Sequence, residues 1–422
     1  MTVIFVGILF IVTYIFIALE RIPRMVTAAL GALILLLFKF ITFEDAVKAI
    51  DFNTLGLLIG MMILVSIARR SGMFEFLSAL IIKAGKGNMW FIVVGLAGLT
   101  ALLSAFLDNV TTVLLVVPLT ISMANELDID PIPILIIEIL ASNIGGTATL
   151  IGDPPNIMIG SATGLGFMDF LKNLAPVILI VFLLIPLIWL FFHKKIKPSP
   201  AGLAKIANTD AKEHIKDYKL MYQSIAVIIA TMVGFVFHQS LHLESSIIAF
   251  TGGIILMVIA KEEPEDILLH IEWPTIFFFV GLFVMVGAVE KAGIMEMLAK
   301  RTIDISHGST VLASGLILWL SALASAFIDN IPFVATMIPL IKDMGNMGFQ
   351  GHINTLWWSL ALGACLGGNG TLIGASANLI TAGMAEKQGY RITFKNFFKI
   401  GFPVMIISVA IAQVYILIRY II

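Results

Sequence analysis

The chain has 422 residues, of which 59% are hydrophobic and 13% are charged, with a mean hydropathy of +1.03 and a net charge of −1. Soluble domains carry about 25% charged residues, so this composition excludes an ordinary soluble fold, and the charge balance excludes a nucleic-acid partner. The single cysteine, Cys365, excludes a disulfide framework and a cysteine-based metal site. No Gly-Lys-Ser/Thr phosphate loop is present, so the chain itself does not hydrolyse ATP.

The apolar segments predict an all-α integral membrane protein. About 20 apolar residues cross a bilayer, and such a segment is helical because lipid offers no partner to free backbone groups. The first half predicts spans at about 2–19, 25–42, 52–68, 131–161 (interrupted) and 174–192, with a helical hairpin at about 88–124. The second half predicts spans at about 220–237, 245–260, 274–289, 353–384 (interrupted) and 400–421, with a hairpin at about 309–344. We expect the segment 2–19 to be a retained span rather than a signal peptide.

The two halves are related by an internal repeat. A shift of 221 residues places Ser-Ala-Phe-Leu-Asp-Asn-Val (104–110) on Ser-Ala-Phe-Ile-Asp-Asn-Ile (325–331). Chance similarity of apolar segments does not explain matched Asp, Asn, Pro and paired Gly at a fixed offset. We therefore predict three parts, which are transmembrane repeat 1 at 1–193, a cytoplasmic linker at 194–219 and transmembrane repeat 2 at 220–422.

The second repeat is predicted to have the opposite orientation in the membrane, because each repeat has an odd number of crossings. With both termini outside and each hairpin re-entrant at the midplane, most of the 26 basic residues fall on the inner side, as the positive-inside rule requires. The inner basic residues are then Arg21, Arg24, Arg69, Arg70, Lys83, Lys86, the lysines of the linker, Lys261, Lys387, Arg391, Lys395 and Lys399. Inverted repeats are typical of secondary transporters, whose site lies near the midplane, and we expect a plasma-membrane location.

An acid and an amide interrupt each hairpin at the same position, Asp108-Asn109 in the first and Asp329-Asn330 in the second. Charged side chains at bilayer depth are costly and usually functional. The turn also exposes a helix N-terminus, which can hold an ion. The alternative is that Asp108 and Asp329 only cap the half-helices that follow them. The two interpretations can hold together, and both acids are candidates for ion binding and proton coupling.

Each interrupted span contains a sequence that a continuous helix does not tolerate. Residues 142–156 read Ser-Asn-Ile-Gly-Gly-Thr-Ala-Thr-Leu-Ile-Gly-Asp-Pro-Pro-Asn, and residues 367–378 read Gly-Gly-Asn-Gly-Thr-Leu-Ile-Gly-Ala-Ser-Ala-Asn. Unwound backbone inside a membrane has to line protein or water. The polar side chains of these segments are therefore candidate ion ligands, among them Asn143, Asp153, Asn156 and Asn378.

Two further acids occur in repeat 1 only. Asp153 has Ala375 as its counterpart, so it serves either an asymmetric coupling step or a solvated outer mouth. Glu138 lies inside the span before the break, where its counterpart is Leu360. A lone carboxylate in a membrane is a proton-relay candidate, and the alternative is a structural hydrogen bond to Ser or Asn on a neighbouring helix.

Two motifs carry a family resemblance, Leu-Asp-Asn-Val-Thr-Thr-Val-Leu-Leu-Val-Val-Pro (107–118) and Ala-Ser-Asn-Ile-Gly-Gly-Thr-Ala-Thr-Leu-Ile-Gly-Asp-Pro-Pro-Asn-Ile (141–157). They resemble the arsenite permease and sodium–proton antiporter family of the ion-transporter superfamily, in its melanosomal P-protein-like branch. The resemblance covers essentially the whole chain. It implies a scaffold similar to that of the dicarboxylate–sodium symporters, with two opposed hairpins, two unwound helices and usually a homodimer.

The resemblance implies that the hairpin tips and the unwound loops bind the ion and the substrate. The matching positions are Ser104, Asp108, Asn109, Thr111, Gly145, Gly146, Thr147 and Thr149 in repeat 1, and Ser325, Asp329, Asn330, Gly367, Gly368, Asn369, Thr371 and Asn378 in repeat 2. No cofactor is expected apart from Na⁺ or H⁺ as the coupling ion, with Na⁺ at the hairpin tips. The tips differ from the Ser-Asn-Thr of the dicarboxylate symporters, and their two acids would repel a dianion unless sodium or protons neutralise them.

The sequence thus predicts a secondary active transporter, with proton-coupled export of arsenite or a related anion as the first hypothesis. The alternatives are a sodium–proton antiporter, a sodium-coupled di- or tricarboxylate transporter and, from another class, an anion channel. No Ser–His, Cys–His or His-Glu-x-x-His arrangement supports an enzyme. The expected partners are the lipid bilayer, a small ion and a second copy of the chain. A peripheral ATPase is consistent with the resemblance, because some arsenite permeases use one.

Overall fold

The computed structural model describes residues 2–19, 21–192, 196, 198–200, 202–203, 210–349 and 351–421, and this part of the chain is helical without strands. The helices of the first half are α1 (Thr2–Leu19), α2 (Arg24–Leu37), α3 (Phe43–Ala49), α4 (Phe52–Arg70), α5 (Met73–Ala84), α6 (Met89–Phe106), α7 (Asn109–Leu127), α8 (Ile132–Gly146), α9 (Pro154–Thr163), α10 (Phe167–Phe182) and α11 (Leu184–Phe192). The helices of the second half are α12 (Tyr218–Phe237), α13 (Ser245–Ala260), α14 (Pro264–Leu268), α15 (Trp273–Lys291), α16 (Ile294–Ser306), α17 (Thr310–Phe327), α18 (Asn330–Asn346), α19 (Ile353–Gly367), α20 (Ser376–Lys387) and α21 (Phe394–Tyr420).

The protein is a multi-pass, all-α membrane protein, as its sequence predicts. Among the described residues, eight helical segments are long and apolar enough to cross a bilayer, and five shorter apolar helices accompany them. Four short helices, α3, α5, α14 and α16, occupy segments for which the sequence analysis predicts no span. The last span of the first half begins at Phe167, earlier than the predicted residue 174, and is divided at Leu183 into α10 and α11.

Each predicted hairpin consists of two helices joined by a two-residue turn. The first is α6–α7, with arms of 18 and 19 residues, and the second is α17–α18, with arms of 18 and 17 residues. At a rise of about 1.5 Å per residue, each arm is about as long as the hydrocarbon core is thick. The arms are therefore as long as ordinary spans. The feature that distinguishes the hairpins from ordinary spans is their tips, which pack against the broken helices.

Two equivalent helix crossings join the halves, α4 against α13 and α15 against α2. A Cβ added to Gly60 would lie 2.5 Å from the backbone of Ala249, and one added to Gly281 would lie 2.8 Å from the backbone of Ala28. Small residues allow helix backbones to approach this closely within a membrane. The same pair of residue types, Gly and Ala, thus makes the same contact in both crossings, at positions that the 221-residue repeat relates.

The two interrupted spans are broken where the sequence predicts it. The helix stops after Gly146 and resumes at Pro154 in repeat 1, and it stops after Gly367 and resumes at Ser376 in repeat 2. An asparagine of the second half-helix fastens each unwound segment. The Asn156 amide donates to the carbonyls of residues 147 and 149 at 3.2 and 2.8 Å, and the Asn378 amide donates to those of residues 368 and 371 at 2.8 and 2.9 Å. These bonds satisfy carbonyls that the broken helix leaves free.

Residues 194–195, 197, 201 and 204–209 of the predicted linker, 194–219, lie outside the described residues. Its described end forms a 3-10 helix, Ala211–His214, that packs on α5. The amide N–H groups of Lys216 and Asp217 both donate to the carbonyl of Ser71, at 2.9 and 3.3 Å. The end of the linker is therefore fastened to the loop between α4 and α5.

Candidate functional site

Both hairpin tips converge on Asp153, which is 1% exposed. The Asn109 side-chain amide donates to the Asp153 carboxylate at 3.4 Å, and the Asn330 amide donates to both of its oxygens at 3.2 and 3.1 Å. The predicted alternative of a solvated outer mouth is therefore wrong for Asp153. The carboxylate lies at the centre of the molecule, between one amide from each repeat.

The tip aspartates cap the helices that follow them, and they also lie at the centre. Asp108 accepts a hydrogen bond from the Thr111 N–H at 2.8 Å and another from the Thr111 hydroxyl. Asp329 accepts from the Ile331 N–H at 3.1 Å. Both aspartates thus cap their helices, and capping coexists with a buried location, since Asp108 is 8% and Asp329 is 7% exposed.

A small central cavity of about 20 Å³ lies between the two tips. This is room for about one water-sized species or one dehydrated cation. The acids Asp108, Asp153 and Glu272 line it together with the amides of Asn109 and Asn330. Carboxylate and amide oxygens are the ligands that hard cations prefer. The arrangement can therefore hold a small cation or a proton.

One guanidinium lines the same cavity. Arg24, the first residue of α2, donates to the Asp329 carboxylate at 3.0 Å and also contacts the Ser376 hydroxyl. Ser376 in turn donates to Asp329 at 2.6 Å. The positive-inside rule predicts Arg24 among the inner basic residues, whereas the structure places its side chain against the tip of the second hairpin.

Several predicted site residues hold the scaffold together instead of bordering the cavity. Thr149 and Thr371 each donate from the unwound segment to a carbonyl of the first hairpin arm, on Ala105 and Ala326. Ser104 accepts from Ser142 at 3.3 Å. Further bonds of this kind are donated by Ser325 to Ala364 and by Thr147 to Asn143, at 2.6 and 2.7 Å.

The four predicted glycines of the unwound segments provide close packing. A Cβ on Gly145 would lie 2.1 Å from the carbonyl oxygen of Ala101, and one on Gly367 would lie 2.6 Å from that of Ala322. These are equivalent approaches of the half-helices α8 and α19 to the hairpin arms α6 and α17. Gly146 and Gly368 pack against the other end of their own unwound segments, where a Cβ would meet Gly152 at 2.6 Å and Ala375 at 3.2 Å.

Asparagines connect the two unwound segments across the repeat interface. The Asn143 amide donates to the side-chain oxygens of Asn369 and Asn378, both at 2.9 Å, and its own oxygen accepts from Asn109 at 3.4 Å. The repeat counterpart of Asn143 is Cys365, whose thiol lies 3.6 Å from the Asn156 oxygen. The network links Asn109 at the cavity to the loop of the opposite repeat.

Glu138 does not line the cavity. It is fully buried, and one of its oxygens accepts a hydrogen bond from the Thr120 hydroxyl at 2.6 Å. Among the described residues no group donates to its second oxygen, Oε2. The predicted hydrogen bond to a neighbouring helix exists, but its donor is a threonine and not the predicted serine or asparagine; it joins α8 to the second arm of the first hairpin.

Two larger vestibules flank the centre, at positions that the repeat relates. The first, about 400 Å³, is lined on the linker side by Ser66, Arg69 and Leu114, and by Met62 and Glu272, which also line the central cavity. The second, about 380 Å³, is lined by the counterparts Phe283, Gly287, Glu290, Ala335 and Asp51. In the part of the chain that the structure describes, this second vestibule shares no lining residue with the central cavity. Of these two vestibules, the central cavity therefore adjoins the one on the linker side.

Arg24, Glu272 and Ser376 were missed by sequence reasoning. One signal was available for Glu272, because its repeat counterpart is Asp51, and both acids immediately precede a span. Arg24 has Ser245 as its counterpart, and Ser376 has Pro154, so the repeat gave no reason to select either. In the described residues no group of three His, Cys, Asp or Glu side chains is arranged to hold a metal ion.

Two opposed hairpins, two broken helices and a buried polar centre define a polytopic membrane transporter, and the comparisons with known proteins identify its family. A family model described as "Citrate transporter" matches residues 14–363. The chain therefore belongs to the citrate transporter family (CitMHS), which is a family of transporters and not of enzymes.

Relatives of similar length are named as membrane proteins or transporters. The 46 kDa membrane protein of Mycobacterium leprae is 40% identical over 98% of each chain, and an uncharacterized transporter of Mycobacterium tuberculosis is 39% identical over 98% of this chain and 97% of its own. The P protein of Homo sapiens is 34% identical over 97% of this chain and 59% of its own. The YdaH transporter of Alcanivorax borkumensis superimposes with a TM-score of 0.61 at 14% identity, over 89% of this chain and 87% of its own, which shows a shared fold.

Proposed function

We propose that this member of the family is a secondary active transporter that exchanges a small monovalent cation, sodium, for protons. The observation that carries the proposal is the acidic lining of the cavity. Asp108, Asp153 and Glu272 border a space of about 20 Å³ at the meeting point of the two hairpins. Buried carboxylates need a cation or a proton to offset their charge. A site that binds a sodium ion and a proton alternately can exchange one for the other across the membrane.

The same lining disfavours citrate and other carboxylates as substrates. A di- or tricarboxylate would need cationic or N–H groups where this cavity presents three acids, and it is much larger than a space of about 20 Å³. Arg24 is the guanidinium of the cavity, and it is already paired with Asp329. The acidic lining also disfavours an anion channel, since like charges at a constriction repel the permeating ion.

Proton-coupled arsenite export is the second candidate. Arsenous acid is neutral, so the carboxylates do not repel it, and its hydroxyl groups could donate hydrogen bonds to Asp108 or Asp153. This candidate also agrees with the resemblance to the arsenite permease and sodium–proton antiporter family. We place the chain in that branch as part of the proposal.

We further propose the membrane arrangement that the charge distribution supports. The two repeats are inverted, both termini lie outside the plasma membrane, and 194–219 is cytoplasmic. The equivalent α4–α13 and α15–α2 crossings agree with a pseudo-twofold relation between repeats. Two copies of the chain are proposed to form a dimer.

The test is a dequenching assay in proteoliposomes that contain a pH-sensitive dye and carry an imposed proton gradient. NaCl, sodium-free arsenite and citrate are added in separate runs. We expect sodium to dissipate the gradient and Asp108→Asn to remove the response. The amide oxygen that this substitution introduces can still accept the hydrogen bond from the Thr111 N–H, so the variant should fold. The control is Asp304→Asn, which removes an exposed carboxylate on α16.

The outcomes separate the candidates. A response to arsenite alone would replace sodium–proton exchange with arsenite export, and a response to citrate alone would contradict the argument from the acidic lining. Ion currents well above the turnover of a carrier would indicate a channel. A normal sodium response in Asp108→Asn would contradict the assignment of the cavity as the ion site.

A further inference from the structure

The two tip aspartates are equivalent in the repeat but differ in their partners. Asp108 is bonded within its own hairpin, to the N–H and the hydroxyl of Thr111. Asp329 is bonded outside its hairpin as well, to the Arg24 guanidinium at 3.0 Å and to the Ser376 hydroxyl at 2.6 Å. One acid therefore carries a fixed counter-charge, and the other does not.

Arg24 is held firmly in this position. Its guanidinium contacts the Ser376 hydroxyl and lies over the Phe278 ring, 5.2 Å from the ring centroid. The Arg24 side chain is 20% exposed and that of Asp329 is 10% exposed. A guanidinium does not lose its proton in proteins, and charge-assisted hydrogen bonds are about twice as strong as neutral ones. The Arg24 guanidinium therefore neutralises Asp329 permanently, in place of an exchangeable cation.

The repeat shows that this cation belongs to one half only. The position equivalent to Arg24 is Ser245, and the position equivalent to Ser376 is Pro154. Neither counterpart can supply a positive charge to Asp108. Three acids share the cavity with Arg24 and form no ion pair with any described residue: Asp108 at the first tip, Asp153 in the broken span and Glu272 at the start of α15.

We propose that Arg24 is a built-in cation that occupies one of two originally equivalent ion sites and so sets the number of sodium ions the transporter exchanges. This inference rests on the proposed sodium–proton exchange. Asp329 then contributes no ion site of its own, and the exchangeable site is formed by Asp108 with Asp153. Arg24 acts through Asp329 and is a positioning residue.

The inference makes Asp329→Asn and Asp108→Asn differ in a measurable way. Asp329→Asn leaves an unpaired guanidinium beside the sodium site, and its repulsion should reduce the sodium response by roughly two to three powers of ten. Removing the guanidinium as well, in Arg24→Gln with Asp329→Asn, should recover at least about tenfold of that loss. Arg24→Gln should not rescue Asp108→Asn, because Asp108 would be a direct ligand of the ion.

The measurement is the sodium dependence of dequenching in proteoliposomes, with thermal unfolding of each purified variant. The wild-type response reports on sodium–proton exchange itself, so a failure confined to the double variant overturns only the role of Arg24. That failure would be a folded double variant as inactive as Asp329→Asn alone.

If the double variant does not fold, the single variant Arg24→Gln tests the proposal instead. It leaves Asp329 without a counter-charge and should create a second cation site that must also be filled before transport, so that the Hill coefficient for sodium rises from about 1 towards about 2. An unchanged Hill coefficient in a folded Arg24→Gln would overturn the proposal. Arg24→Lys, which keeps the charge but not the planar fork, should retain a coefficient of about 1.

Discussion

Asp153→Asn tests whether the central carboxylate binds the transported ion. The substitution keeps the size of the side chain and removes its charge. Asn330 now donates to both oxygens of Asp153 at 3.2 and 3.1 Å, and Asn109 donates to one of them at 3.4 Å. An amide at position 153 has one oxygen to accept these bonds, and its NH₂ group would face another NH₂ group.

The expected magnitude follows from the charge and from the hydrogen bonds. Two unit charges about 4 Å apart interact by about 4 kcal/mol at an effective dielectric constant of about 20. Loss of that attraction weakens sodium binding by about a thousandfold. Losing one hydrogen bond to a charged group costs a further 1.5–3 kcal/mol, roughly, and this second cost falls on stability.

The assay is the apparent KM for sodium in the proteoliposome dequenching experiment, together with thermal unfolding of the purified protein. We expect the KM of Asp153→Asn to rise by about two to three powers of ten, while the exposed-carboxylate control Asp304→Asn keeps the wild-type KM. A folded Asp153→Asn protein with an unchanged KM would refute the reasoning. It would mean that Asp153 only joins the two hairpin tips.

Two further predictions concern the scaffold. Gly60→Val should lower the free energy of unfolding by about 1–3 kcal/mol or more, since its Cβ would lie 2.5 Å from the backbone of α13; thermal unfolding checks this against Gly383→Ala, where a Cβ meets nothing within 4 Å. Glu138→Gln should keep the sodium response, because Glu138 lies outside the cavity and glutamine can still accept from Thr120; Glu138→Ala should instead cost about 1–3 kcal/mol of stability by leaving that hydroxyl unpaired. Loss of transport in a folded Glu138→Gln would restore the proton-relay hypothesis.

The helix breaks and the hairpin turns could be predicted because their causes are local. Paired glycine, consecutive proline and a polar pair in an apolar run disrupt a helix wherever they occur. The breaks after Gly146 and Gly367 and the turns at Asp108 and Asp329 therefore lie where the sequence places them. Each of these local signals occurs in both halves of the chain, at positions that the internal repeat relates, and this supports the prediction at each position.

The contacts of the central cavity could not be predicted because they are not local. Arg24 and Asp329 are separated by 305 positions in the chain, and nothing around either residue indicates the other. Counting basic residues on one side of the membrane treats every arginine near a span end alike. The positive-inside rule therefore assigns Arg24 the same role as Arg21, which is exposed.

The environment of Asp153 also could not be predicted from the sequence around it. Its sequence neighbours, a glycine and two prolines, are equally compatible with a buried break and with a solvated loop. Only the convergence of both hairpin tips, which bring Asn109 and Asn330 to its carboxylate, decides between the two. Short helices such as α5 and α16 were missed for a different reason, since they lie in segments of mixed polarity beside the spans.

The central cavity borders one of the two vestibules and not the other, although the two halves of the chain supply matching lining positions to both. The vestibule beside Arg69 and its counterpart beside Glu290 are lined by matching positions, yet only the first shares Met62 and Glu272 with the cavity. If each repeat adopted the conformation of the other, the matching positions Phe283 and Asp51 would border the cavity instead, and access would pass to the opposite side. Under the inverted arrangement of the repeats proposed above, the two halves would supply both end states of alternating access. Of the two residues that break the repeat at the centre, Asp153 is then proposed to bind the exchanged ion, and Arg24 is proposed to neutralise Asp329.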